Sequence, residues 1–185
     1  MSESMIKFLR ALWYLVSRLL IWGSIIPLVL LSFYAAMDYM NVRILSSDGL
    51  EARAGVIIAG DDPTPLSKVF SKGFLDGDTM LYSNLYRQYI VSDFDYSIEM
   101  PIIIIMPWKD TVVLRITEEI DDIEAEVYAS VENSATVSET PPEWNNATYD
   151  LTLVRYENNW RIVSMEEVVN EPTGSPSQTE EIVAQ

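Results

Sequence analysis

Asp93, Asp95, Tyr96 and Arg115 are the side chains whose types could furnish an acid–base set. A lone carboxylate becomes a competent base only where burial or neighbours raise its pKa. Asp93 and Asp95 alternate with Phe94 and Tyr96, which puts the two carboxylates on the face of a strand opposite its core side. A solvated strand face is therefore expected, and no residue is assigned a catalytic role. Asp76-Gly77-Asp78, and Asp121-Asp122 with Glu118, Glu119 and Glu124, offer oxygens to a cation such as calcium, which wants six to eight of them. Neither group has the spacing of a calcium loop, so both read as charged turns and no metal or other cofactor is expected. The seven glycines are scattered singly, with no phosphate-cradling loop among them. Cysteine and histidine are absent altogether. Disulfides, thiolate zinc sites, thiol nucleophiles and imidazole bases are thereby excluded.

What remains is surface chemistry. In Ile102-Ile103-Ile104-Ile105 the even members continue the core-facing set, whereas Ile103 and Ile105 fall on the face that carries Asp95, Ser97 and Glu99. With Val113 beside them they form an apolar patch on the outer side of a sheet, the kind of patch that marks an interface. Two other readings stand beside this one: Pro101 inserts a bulge that shifts the parity, or another segment covers the patch. Trp108, in the turn Pro107-Trp108-Lys109-Asp110, is the second contact candidate, because tryptophan is over-represented among binding hot spots. Its alternative is to fold back over the mouth of the domain. Tyr82, Tyr86 and Tyr89 recur at helical spacing and read as packing against the sheet.

Residues 19 to 37 contain no charge and are long enough to cross a bilayer as one helix, about 19 residues at 1.5 Å each against a hydrocarbon core of about 30 Å. The run is too long for a signal peptide, and a cut after Ala35 or Ala36 would leave an aromatic residue at −3. A retained single-pass anchor is the expectation. Lys7, Arg10 and Arg18 precede the span and Asp38, Asp48 and Glu51 follow it, so the positive-inside bias predicts a cytoplasmic N-terminus and an extracytoplasmic C-terminal domain. Beyond the span, nine basic residues face 27 acidic ones. That balance repels phosphate backbones and anionic headgroups, which argues against nucleic acid and against peripheral membrane adhesion by this part.

Five segments follow: a juxtamembrane lead-in over 1–18, the span over 19–37, a linker over 38–47, a folded domain over 48–169 and a disordered acidic tail over 170–185. Within the domain, Ser47-Asp48-Gly49-Leu50-Glu51 reads as a helix start, with Gly60 to Pro63 ending that helix. Thr64-Pro65 opens a second helix that buries Leu66, Val69, Phe70 and Phe74. A short helical piece is expected over Thr79 to Tyr89. Alternating strands follow: one through Phe94, Tyr96, Ile98 and Met100 that runs on to pair Ile104 with Leu114 and Ile102 with Ile116; one through Val112, Leu114 and Ile116; and a third through Ala125, Val127, Ala129 and Val131. A last hairpin pairs Tyr149–Tyr156 with Trp160–Val169 across Glu157-Asn158-Asn159. Helices first and a meander afterwards make an α+β fold.

The order of these elements, and the closing hairpin from Leu151 to Ser164 with Trp160-Arg161-Ile162 opening its last strand, resemble the end of a nuclear-transport-factor-2-like (NTF2-like) cone over roughly residues 48 to 169. A single span ahead of such a domain is similar to the VirB8-like and TcpC-like components of bacterial conjugation and secretion machines. That resemblance implies a non-catalytic scaffold in an envelope complex, partnered by other envelope proteins or by itself. The alternatives are a binding module that holds a small apolar ligand in the cone, and an enzyme with Asp93 or Asp95 as base.

Overall fold

The computed structural model describes residues 3–128 and 138–168. Its first element, α1 (Glu3–Ile58), is one unbroken helix of 56 residues. Residues 38–47, expected as a linker, are helical too, and Ser47-Asp48 lies inside the helix and starts nothing. No glycine or proline interrupts the run between Asp38 and Asp48, so the helix propagates from span to domain at no breaking cost. Along the apolar run nothing packs on the helix: its most apolar window is wholly unburied, and it is long and apolar enough to cross a membrane. Pro27 lies within that window. It removes one backbone donor, a loss that membrane helices accommodate. From Val42 onward the same helix acquires a buried face, Val42, Ser46, Gly49, Leu50, Arg53, Ala54 and Ile58. Their three- and four-residue spacing makes one stripe. Gly60, at φ 74°, ends the helix with the left-handed residue that Cβ-bearing residues avoid.

Two short helices follow, α2 (Leu66–Val69) and α3 (Lys72–Gly77). They replace the single second helix expected, because Phe70 leaves helical geometry to make a parallel bridge with Ile162, and Ser71 donates its N–H to the Ile162 carbonyl at 2.8 Å. The Ser71 hydroxyl then caps α3 by accepting from the Phe74 N–H at 3.2 Å. Residues 79–88 form turns, not the helical piece expected. Tyr86 and Tyr89 are nonetheless buried, while Tyr82 is exposed.

The sheet is an antiparallel meander in the order β1 (Tyr89–Glu99), β2 (Thr111–Val127), β3 (Ala147–Tyr156), β4 (Asn159–Glu167). The expected third strand is the far end of β2, which runs unbroken through Ala125 and Val127; Ala129 and Val131 lie outside the described residues. β2 bends where Asp122 adopts φ 49°, at a register shift opposite Asp93 and Asp95. The closing hairpin has the expected place and a tight loop, Tyr156 pairing with Asn159 across Glu157 and Asn158 at φ 47° and 71°.

The core lies between the inner face of the sheet and α1 with α2. Leu114, Ile116, Leu151, Leu153, Trp160 and Ile162 meet Val42, Leu50, Leu66 and Phe70 there. A second cluster, Ala54, Ile58, Tyr86, Ile120 and Trp144, continues it toward the far end of β2. The pairing of Ile104 with Leu114 and of Ile102 with Ile116 does not occur. Leu114 and Ile116 pair with Leu151 and Tyr149, and β1 stops at Glu99, opposite Thr117. Residues 100–110 are a loop.

Candidate functional site

Four of the candidate residues sit around that loop, and its parity is the reverse of the expectation. Ile105 is only 1% exposed and Ile103 packs against the core, whereas Ile102 and Ile104 stand 86% and 78% exposed. Pro101 ends the ladder, so the strand alternation that placed Ile103 and Ile105 outside no longer applies beyond it. Val113 and Trp108 are exposed, at 58% and 65%, so Trp108 does not fold back over the domain. The outward patch therefore consists of Ile102, Ile104, Trp108 and Val113.

The acid–base candidates are not brought together. Asp93 and Asp95 are exposed and border a shallow acidic groove with Asp122 and Glu124. Arg115 lies on the outer face in a two-pronged ion pair with Asp150, both contacts 2.8 Å. Only Tyr96 turns inward. No three Asp or Glu side chains cluster in a way that would hold a metal ion, among the described residues.

Tyr96 leads instead to a buried polar group that the acidic-turn reading of Glu118 missed. Glu118 is wholly buried. It follows Leu114 and Ile116 and precedes Ile120 at the same period of two, so the alternation already legible from Val112 to Ile116 carries its carboxylate to the core side. The Tyr96 hydroxyl donates to Glu118 Oε1 at 3.4 Å. Among the described residues Oε2 has no donor, and neither the Trp144 indole N–H nor the buried Ser46 hydroxyl has a partner. Burial pushes the Glu118 carboxyl above the usual carboxylate range, against the opposing pull of the Arg53 charge and of the nearby Trp144 and Tyr96 donors. Burial and then the Glu118 charge push the Tyr96 phenol up as well.

Arg53 is itself buried on α1 and holds Asp78 through both prongs of its guanidinium, at 2.6 and 3.1 Å. Asp78 also accepts from the Met80 N–H at 3.1 Å, which fixes the turn after α3. Beside this pair opens a cleft of about 580 Å³, bordered by Arg53, Asp78, Met80, Trp144, Tyr149 and Glu167. Its far wall is a loop tied down by tyrosines, Tyr86 donating to the Pro142 carbonyl at 3.0 Å and Tyr89 to the Ser138 carbonyl at 3.1 Å. Asn146, of the Asn-Ala-Thr triplet, accepts from the Ile120 N–H at 2.9 Å, so its side chain holds β2 in place.

These features define a class: an α+β domain carried on the same helix as a candidate membrane span, with a cleft whose floor is a buried, internally paired polar group. Compared with protein-family models, with curated proteins and with solved structures, the chain matches none.

Proposed function

We propose that the protein is a single-pass membrane protein with a cytoplasmic N-terminus, presenting its α+β domain outside the cytoplasm as a non-catalytic scaffold or assembly component of an envelope complex, in the manner of the NTF2-like parts of conjugation and secretion machines. The observation that carries this reading is the continuity of α1. One helix supplies both the apolar run and the Val42–Ile58 stripe of the domain core. A domain joined in this way is held at a set height and angle above the bilayer, whereas a flexible tether would let it roam. The test is to crosslink the full-length protein in its native membrane, purify it in detergent and identify by mass spectrometry what accompanies it. A defined set of envelope proteins is the expected result; recovery of the protein alone defeats the reading.

The cleft favours a second reading, a binding module. Leucine, isoleucine and phenylalanine side chains occupy the space between α1 and the sheet, so a ligand's place is the cleft beside Arg53 and Asp78. Its lining mixes Arg53, Asp78 and Glu167 with Phe74, Met80 and Trp144, which suits a molecule with both polar and apolar parts. Native mass spectrometry of the purified protein discriminates: a retained small molecule supports the module, and a bare mass opposes it.

A further inference from the structure

The 100–110 loop joins β1 to β2 and presents Ile102, Ile104 and Trp108 to solvent. Its eleven residues carry two charges, Lys109 and Asp110, both at its end, and the nine before them carry none. Both ends of the loop are fixed beside the foot of the domain helix. Met100, Pro101 and Ile103 border a crevice with Tyr39, Val42 and Arg43. At the other end the Arg155 N–H donates to the Asp110 carbonyl at 2.8 Å, while the Arg155 guanidinium pairs with Asp38 at 2.8 Å, both side chains mostly buried. Asp38 is the first residue after the uncharged run.

The height of the loop follows from two rises. Leu114 borders the same crevice as Val42, so the two share a level. Stepping back from Leu114 to Thr111 lowers the strand by about 10 Å, at roughly 3.3 Å per residue. The helix descends that far in about seven residues, at 1.5 Å each, which reaches the last turns of the uncharged run. Farther along, Ile120 of β2 packs with Ala54 and Ile58 of α1, so β2 climbs in the same direction as α1; the loop's first residues lie beside Tyr39 to Arg43, and the stretch that precedes Thr111 lies lower, toward the end of the uncharged run.

We propose that this loop is a second, monotopic membrane contact: Ile102, Ile104 and Trp108 insert into the boundary between headgroups and acyl chains of the leaflet from which α1 emerges. Lys109 then reaches the phosphate level on its flexible stem. Tryptophan beside lysine is the pairing that membrane–water interfaces favour. The distribution of charge agrees. Glu119, Asp121, Asp122, Glu124 and Glu126 all lie on the far half of β2, remote from the bilayer, while of the acids at the near end Asp38 is paired with Arg155 and Asp110 and Glu157 are exposed. The helix also removes the cost of recruiting the loop from solution, since it holds the side chains at the surface already. Once inserted, the loop restrains tilting of the domain about α1.

The inference rests on the reading that residues 19–37 cross the bilayer, and the experiment separates the two. The chain has no cysteine, so Ile104→Cys, Trp108→Cys, Val29→Cys and Asp122→Cys can each carry one environment-sensitive fluorophore in the full-length protein. Each labelled protein is reconstituted in phosphatidylcholine vesicles and exposed to lipids spin-labelled near the headgroup, to lipids spin-labelled deep in the chain, and to aqueous iodide. Labels at 104 and 108 should be quenched most by the shallow lipid label, the label at 29 by the deep one, and the label at 122 by iodide alone. Should 104 and 108 respond to iodide like 122 while 29 responds to lipid, the loop stands in water and the proposal fails with the span intact. If 104 and 108 are shielded from lipid and iodide alike, protein covers the loop, and the proposal is equally overturned. If 29 does not respond to lipid, the span reading fails and takes the loop contact with it.

Discussion

At the scale of single residues, Glu118 is a wholly buried acid whose chemistry departs from that of its exposed counterpart. Its folded-state pKa lies above the usual value of 4.5, mainly because burial penalises the carboxylate. The unfolded chain therefore loses this proton first as pH rises. Below about pH 4.5 both states are protonated and the contribution to stability is full; above it the unfolded state is favoured increasingly, until the folded carboxyl also ionises. Glu118→Gln keeps the shape and removes the titration. Urea midpoints of the variant should fall less steeply than those of the parent from about pH 4 to pH 8, with the variant the more stable at neutral pH. Parallel profiles for the two proteins would mean that Glu118 titrates as an ordinary surface carboxylate. The neighbouring Arg53 guanidinium and Asp78 carboxylate hold each other through two contacts. Glu118 was visible in the chain as an acid at a core-parity position. Its neighbours were not, because Arg53, Tyr96 and Trp144 come from three distant segments.

Among the elements, the approach of α2 to α1 depends on one missing side chain. A Cβ on Gly49 would collide with Val69 Cγ1, and the absence of that atom lets the two helices close over Leu50, Leu66 and Phe70. Gly49→Ala raises helix propensity by about 1 kcal/mol, yet overpacking of about 1–3 kcal/mol should outweigh it. The expected outcome is a net loss in a chemical melt, while Gly73→Ala, where a Cβ meets nothing within 4 Å, should show no such loss. A gain in stability at position 49 would show that the helices can move apart at little cost. The hairpin was readable from Glu157-Asn158-Asn159 because the turn is a local property of the chain. The end of β1 was not, since β2 continues past Thr117 to Thr111 while β1 leaves it after Glu99, and whether a chain stays on the ladder beyond a proline depends on packing that the local spacing does not record.

For the whole molecule, the domain begins lower on the chain than its sequence boundary at residue 48. Val42 is 1% exposed within the core, and Asp38 holds Arg155. A fragment of residues 38–168 should therefore fold as the full chain does, while one of residues 48–168 loses Val42 and the Asp38 contact. Burial of one valine is worth about 1.5–3 kcal/mol, so the shorter fragment should be less stable by at least that amount in urea titrations. Equal stability of the two fragments would make residues 38–47 a passive stalk and would weaken the case for a rigid link between span and domain.

Composition and periodicity alone determined the apolar run, the lopsided charge, the missing thiol and imidazole chemistry, and the α+β order of helices before a meander. Each of these is written in residue type or in spacings of two, three and four. The tertiary structure decided what depends on contact between distant segments. It reversed the faces of Ile102 to Ile105, because a loop has no ladder to enforce alternation. It divided one expected helix into two, because Phe70 found a partner in Ile162. It merged the span and the domain helix, because the Val42–Ile58 face had a sheet to pack on. It also turned Glu118, an acid that read as surface charge, into a fully buried group, because only the packed sheet and helices could take that carboxylate away from water.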